Sequence, residues 1–189
     1  AGLHLPSLLD AIGIDALTAY TDDRGNWLNQ LYDKALNLQH FELEEQCSSA
    51  VCHRISFMYS LLYEHDQLNR LTHDNLHELF GICHMDIFKH LALCAREGKI
   101  VNAEGKDIYL PHWERLNLPI TFIHGAENVS YLPETTERSF KKLVEVNGPE
   151  KYVRHVIPNY GHIDCIFGQN AVQDVYPHIL SALEKTSSI

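Results

Sequence analysis

Basic side chains are scarce in this chain. Fifteen Lys and Arg face twenty-five Asp and Glu, a net charge of −10 with His neutral. Such a surface repels phosphate backbones and anionic headgroups, so nucleic acid is excluded as an expected partner. No apolar run approaches the about 18 residues a transmembrane helix needs, and no secretory leader is legible. No Cys-x-x-Cys pair occurs, and the five cysteines make an odd count. Buried, reduced thiols are therefore preferred over a disulfide framework. Gly-x-Gly-x-x-Gly is missing, so the chain does not carry the usual dinucleotide cradle and no cofactor is assigned to it. Gly-x-Ser-x-Gly is missing too, and with it any serine on a strand–turn–helix elbow. Ser48, Ser49 and Ser130 have no such setting.

What is present is an ordinary globular composition, 45% hydrophobic and 21% charged over 189 residues, enough for one core. Thirteen histidines are many for this length, and their protonation toward acid pH would cancel much of the negative charge. The chain starts at Ala1 without Met and runs at once into Leu5-Pro-Ser-Leu-Leu9, from which we expect the front of a parent protein to be missing.

The two halves are patterned differently. Residues 7–97 read as helical almost throughout, with Trp27, Leu28, Leu31, Tyr32, Ala35 and Leu36 on one face and Ile55, Met58, Tyr59 and Leu62 on another. A third helical stretch runs from Leu76 to Cys94, interrupted only by Gly81, with Gly98 as its stop. No strand is expected in this half. Beyond it, Pro119–His124 is short, β-branched and aromatic and closes on Gly125, which predicts a strand. A helix is predicted from Pro133, with Glu134 and Glu137 early, Lys141 and Lys142 late, Asn147-Gly148 as the stop, and Phe140, Leu143 and Val144 inward. Tyr152–Ile157 is a second strand. A last helix presents Val172, Val175, Tyr176, Ile179, Leu180 and Leu183, with Pro177 either kinking it or marking its true start. The expected fold class is α/β, a helical region over 1–117 followed by a βαβα unit with parallel strands over 118–189. Two parallel strands alone make a poor sheet, so further strands must come from elsewhere.

Pro158-Asn-Tyr-Gly-His162-Ile-Asp-Cys-Ile-Phe-Gly168 follows the second strand. An imidazole in a glycine turn at a strand's carboxyl end is placed to act as a general base. The run His162-Ile-Asp-Cys-Ile-Phe-Gly168, then Asn170-Ala171 and an apolar helix, resembles the end of the acid lipase family. His90-Leu91 with Arg96-Glu-Gly-Lys-Ile100 is similar to that family's lid, and Leu118–Gly125 to the strand before its catalytic acid. Over the whole chain, Glu45-Gln-Cys-Ser-Ser-Ala-Val-Cys-His-Arg54, Ile123-His-Gly-Ala-Glu-Asn128 and Tyr160-Gly-His-Ile-Asp-Cys165 resemble the hydrolase-like C-terminal region of cholesterol-oxidase-like flavoproteins of the glucose-methanol-choline oxidoreductase type.

The resemblance implies a partial α/β-hydrolase fold with residues 1–117 as a helical lid. It makes His162 the base and puts Asn128 at the acid position, with Glu127, Asp164 or an acid in the missing part as the carboxylate that would serve instead. The serine would lie upstream of Ala1, and FAD, if used, in a missing part of a bacterial, cytoplasmic parent. The implied chemistry is hydrolysis of lipophilic acyl or sterol esters. The alternative is a non-catalytic accessory or substrate-capture domain of a flavin oxidoreductase, which the asparagine at the acid position favours. Open strand edges add the expectation of a homo-oligomer. His162 is expected within about 8 Å of the Asn128 loop, since a base and its orienting group must come within reach.

A metallic constellation competes. His73 and His77 stand at i and i+4, with His65, His84 and His90 near in sequence, a spacing that can ligate zinc from one helix face. Without a third ligand of telling spacing, surface or lid histidines are preferred. For Cys47 and Cys52 the order is buried thiols, then a local disulfide, then metal.

Overall fold

β-branched and aromatic residues between Pro119 and Gly125 favour extended backbone, and the computed structural model has a strand there. It describes residues 5–11, 13–20 and 47–187. The helical face expected around Trp27–Leu36, and Glu45, lie outside the described residues.

The helical portion comprises α1 (Leu5–Ala11), β1 (Ala16–Thr18), α2 (Ala50–Tyr59), α3 (Arg70–Asp74), α4 (Leu76–Leu79), β2 (Ile82–His84) and α5 (Met85–Glu97). Ser49 caps α2, its side chain accepting from the Cys52 amide at 3.4 Å, and Asn69 caps α3 by accepting from the Thr72 amide at 2.8 Å. Gly98 ends α5 in the left-handed conformation, φ 65°.

Two sequence expectations are corrected here. The stretch from Leu76 to Cys94 is not one helix interrupted at Gly81. α4 stops at Leu79, Phe80 turns extended, and Ile82–His84 forms a strand antiparallel to Ala16–Thr18. A helical half without strands is therefore wrong by this short pair. The cause is tertiary: strand pairing with residues far upstream outweighs a three-and-four periodicity that glycine had already weakened.

The second portion comprises β3 (Ile120–Gly125), α6 (Pro133–Asn147), β4 (Tyr152–Ile157), α7 (Asp164–Phe167), α8 (Ala171–Asp174) and α9 (Tyr176–Ser187). β3 and β4 are parallel, in register from Ile120 opposite Tyr152 to Gly125 opposite Ile157. The fold is thus α/β, with a two-stranded parallel sheet among the described residues. α6 is the crossover and packs on both strands. Leu143 is its buried residue, with Phe140 and Val144 half-buried beside it. Pro177 sits at the second position of α9, where its missing N–H costs nothing. The apolar periodicity of 172–183 is therefore split between α8 and α9.

The two portions interlock. Ile163 and Phe167 pack into the cluster of Ile55, Leu62, Leu68 and Leu76, while Ile157, Tyr160, Cys165 and Val175 pack with Ile123 and Ile179 behind the sheet. The amides of His162 and Ile163 both donate to the Leu62 carbonyl at 2.9 Å. No described helix is long and apolar enough to cross a membrane.

Candidate functional site

Parallel strands end on the same side, so the loops after β3 and β4 meet there, the usual place for a ligand in a parallel sheet. Their approach depends on Gly125. A Cβ at that position would overlap the carbonyl oxygens of Tyr160 and Gly161. The contact is then pinned by backbone bonds, Ala126 N–H to Ile157 at 2.8 Å and Glu127 N–H to Tyr160 at 2.9 Å.

Asn128 is buried at this junction and its amide faces the His162 ring, Nδ2 to Nδ1 3.2 Å. The orientation is settled by the other end of the carboxamide. Oδ1 accepts from the backbone amides of Ser130 at 3.1 Å and Tyr131 at 2.9 Å, so it must be the oxygen that points to them. Nδ2 therefore donates to His162 Nδ1. In a neutral imidazole the proton then sits on Nε2. Burial, and secondarily the neighbouring His124, hold the His162 imidazole below its ordinary value of 6.5, which favours that neutral form at pH 7.

The chemical consequence is direct. A general base needs Nδ1–H donated to its orienting partner and a lone pair free on Nε2. An asparagine can achieve that only by turning its oxygen to the ring. Here the oxygen is committed to the backbone, and His162 offers an N–H outward instead of a lone pair.

The two carboxylates considered beside the base do not reach it by hydrogen bond. Glu127 is exposed, and its side chain makes no hydrogen bond or ion pair among the described residues. Asp164 is fully buried and turned away, with Oδ2 accepting from the amides of Gly161 at 2.8 Å and Glu64 at 3.2 Å. Burial raises its pKa against the pull of those amides. It fastens the His162 turn to the helical portion. Ser130 is also spoken for, its hydroxyl donating to the Leu61 carbonyl at 2.8 Å.

Around the pair lies a cleft of about 360 Å³, lined by Ile123, His124, Asn128, Tyr131, Thr136 and His162 among others. The Tyr131 ring stands 5.0 Å from the His162 ring. Polar groups in the wall are largely used internally. His124 Nε2 donates to the Tyr131 carbonyl at 2.7 Å, and the Thr135 hydroxyl to the Leu132 carbonyl at 2.7 Å. Tyr131 and the two threonines escaped the sequence reading. They follow the asparagine in a loop and first turn with no period to mark them, and only Pro133 signalled where the helix begins.

A second constellation lies in the helical portion. His73 and His77 are not paired on one helix, because α3 ends at Asp74 and Asn75 separates it from α4. His77 meets Glu78 at 3.2 Å and the Tyr20 ring at 5.7 Å. The i, i+4 metal alternative is corrected accordingly. His73 turns instead to the cysteines. Its Nε2 lies 3.3 Å from Cys47 Sγ and 3.1 Å from Cys52 Sγ. His65 joins them, its ring 5.4 Å from that of His73. One ligand atom from each of the four falls within 4.8 Å of every other. Both cysteines are free thiols, and burial pushes the Cys52 thiol up to about 11. The other described cysteines, Cys83, Cys94 and Cys165, take no part.

No family model, curated protein or solved structure matches the chain.

Proposed function

We propose that this is an α/β-hydrolase-like domain whose cleft captures lipophilic, carbonyl-bearing small molecules such as acyl or sterol esters without hydrolysing them. It would serve as an accessory domain to a flavin oxidoreductase. One observation carries this reading: the Asn128 amide donates to His162 Nδ1 at 3.2 Å, leaving Nε2 as the donor of a ring that lines the cleft. A carbonyl oxygen is the natural acceptor for that N–H. The apolar wall of Ile123 and the Tyr131 ring suits a greasy ligand, since few of the lining groups ask for a polar partner. No cofactor is required in the cleft.

The experiment is ester binding and turnover measured together on the purified chain. A p-nitrophenyl ester of a medium-chain acid should perturb the His162 ring resonances without release of nitrophenol, and a fluorophosphonate should label no serine. Turnover, or stoichiometric serine labelling, would overturn the reading.

A second reading is supported by the placement of Asn128 and His162 at the carboxyl ends of parallel strands, where a hydrolase keeps its acid and base. In it, a serine outside this chain completes an esterase, and the asparagine carboxamide inverts on substrate binding. A protein extended upstream that hydrolyses esters, and loses this with His162→Ala, would establish that reading over the first.

A further inference from the structure

We propose that Cys47, Cys52, His65 and His73 form a structural zinc site that fixes the helical portion and, through it, the seat of the His162 turn. The inference stands independently of what the cleft does.

The four side chains come from three separate places. Cys47 and Cys52 flank the Ser49 cap of α2, His65 lies in the 3₁₀ turn His65–Gln67, and His73 lies in the last turn of α3. Nothing in local sequence obliges these segments to converge, yet their ligand atoms lie within 4.8 Å of one another. Zinc bonds of about 2.3 Å to sulfur and 2.0–2.1 Å to nitrogen give a tetrahedron with edges of roughly 3.3–3.8 Å. The two nitrogen–sulfur edges, 3.3 Å to Cys47 and 3.1 Å to Cys52, fall a few tenths of an ångström short of the roughly 3.6 Å such a mixed edge would have, so that small outward shifts would admit the ion.

Hydrogen bonding alone accounts poorly for those distances. His73 Nε2 carries either one lone pair or one proton, so it can make a single good hydrogen bond, whereas two sulfurs stand beside it. A cation at the centre removes the conflict, because each of the three atoms then directs a lone pair at the metal. Two thiolates and two imidazoles in a tetrahedron are the donor set that suits Zn²⁺. The Cys-x4-Cys spacing lies within the range of such sites. Outside the cluster, the Asp74 carboxylate lies 3.6 Å from His73 Nδ1, on the side where an outer carboxylate orients a ligating ring.

The consequence for the cleft follows from the chain between the ligands. Leu62 and Glu64, which hold the His162 turn through the Leu62 carbonyl and the Glu64 amide, lie between Cys52 and His65. Gln67 also donates from Nε2 to the Asn159 carbonyl at 2.8 Å.

The test uses the whole chain, purified under reducing conditions and equilibrated with zinc, then dialysed against a weak chelator. About one zinc per chain should be retained. Replacement by Co²⁺ should give thiolate-to-metal charge-transfer bands and the intense visible bands of a tetrahedral site. Cys52→Ser and His73→Gln should each retain less than about a tenth of the wild-type metal, whereas His77→Gln and Cys94→Ser should retain all of it. The cobalt spectrum of the wild-type protein decides the matter even where a ligand variant does not fold. Absence of uptake by the reduced wild-type chain, an octahedral cobalt spectrum, or loss of metal in His77→Gln equal to that in His73→Gln would overturn the proposal.

Discussion

Asn128 and His162 are joined by a hydrogen bond that runs from amide to imidazole, Nδ2 to Nδ1 at 3.2 Å, and its direction is imposed by the Ser130 and Tyr131 amides on the other side of the carboxamide. The two side chains meet where the loops after β3 and β4 come together, and the ring proton lies on Nε2, away from the carboxamide.

Asn128→Asp should therefore reverse the tautomer. A carboxylate can keep both backbone amides and also accept from Nδ1–H, and its charge should raise the His162 pKa by about 1–3 units. Long-range ¹⁵N correlation spectra of the ring would show the Nδ1–H form replacing Nε2–H, with the titration midpoint moved up. An unchanged tautomer would mean the carboxamide does not govern the ring.

Gly125 should tolerate no side chain. Gly125→Ala drives a Cβ into two backbone carbonyls that cannot swing away, so the loss should reach about 3 kcal/mol or more. Gly81 has open space around it and no positive φ, so Gly81→Ala should lie within about 0.5 kcal/mol of wild type or slightly above it. Urea denaturation of both variants gives the comparison, and equal effects would refute it.

Acidification should weaken the sheet's packing against α9. His155 on β4 and His178 on α9 stack at 4.0 Å. Burial first, then the neighbouring His178 and Lys185, hold the His155 pKa below 6.5. The unfolded chain thus binds this proton more readily than the folded one, and stability present above pH 6.5 is lost as the pH falls below it. The urea midpoint should drop from about pH 7.5 to about pH 5.5, and His155→Gln should make that drop smaller. A midpoint that rises toward acid would contradict the sign.

Self-association is the expected fate of the open strand edges. β3 and β4 pair only with each other among the described residues, and Leu118, Val153 and Val156 are exposed near them. Unpaired edges recruit further strands. Sedimentation velocity at micromolar concentration should show a homodimer or larger species. A monomer at that concentration would mean the edges are satisfied by other means.

Local chemistry made much of this legible in advance. The strands at 120–125 and 152–157 announce themselves by β-branched runs closed by glycine or proline, and α6 by its proline start, charge order and glycine stop. The meeting of the Asn128 and His162 loops followed from parallel pairing, because both turns then leave the same end of the sheet.

Other features depended on partners that no local pattern reveals. Ile82–His84 became a strand only because Ala16–Thr18 lies beside it. The direction of the Asn128 bond is decided by two amides further along its own loop, and an asparagine in a sequence does not say which end faces which neighbour. The Cys47, Cys52, His65 and His73 cluster is the strongest case, since its members are spread over three segments and look unremarkable singly. Residue types and periodicity determine which elements form. Which side chains converge, and which atom each presents, is set by long-range packing, because those contacts are made only once the elements have docked.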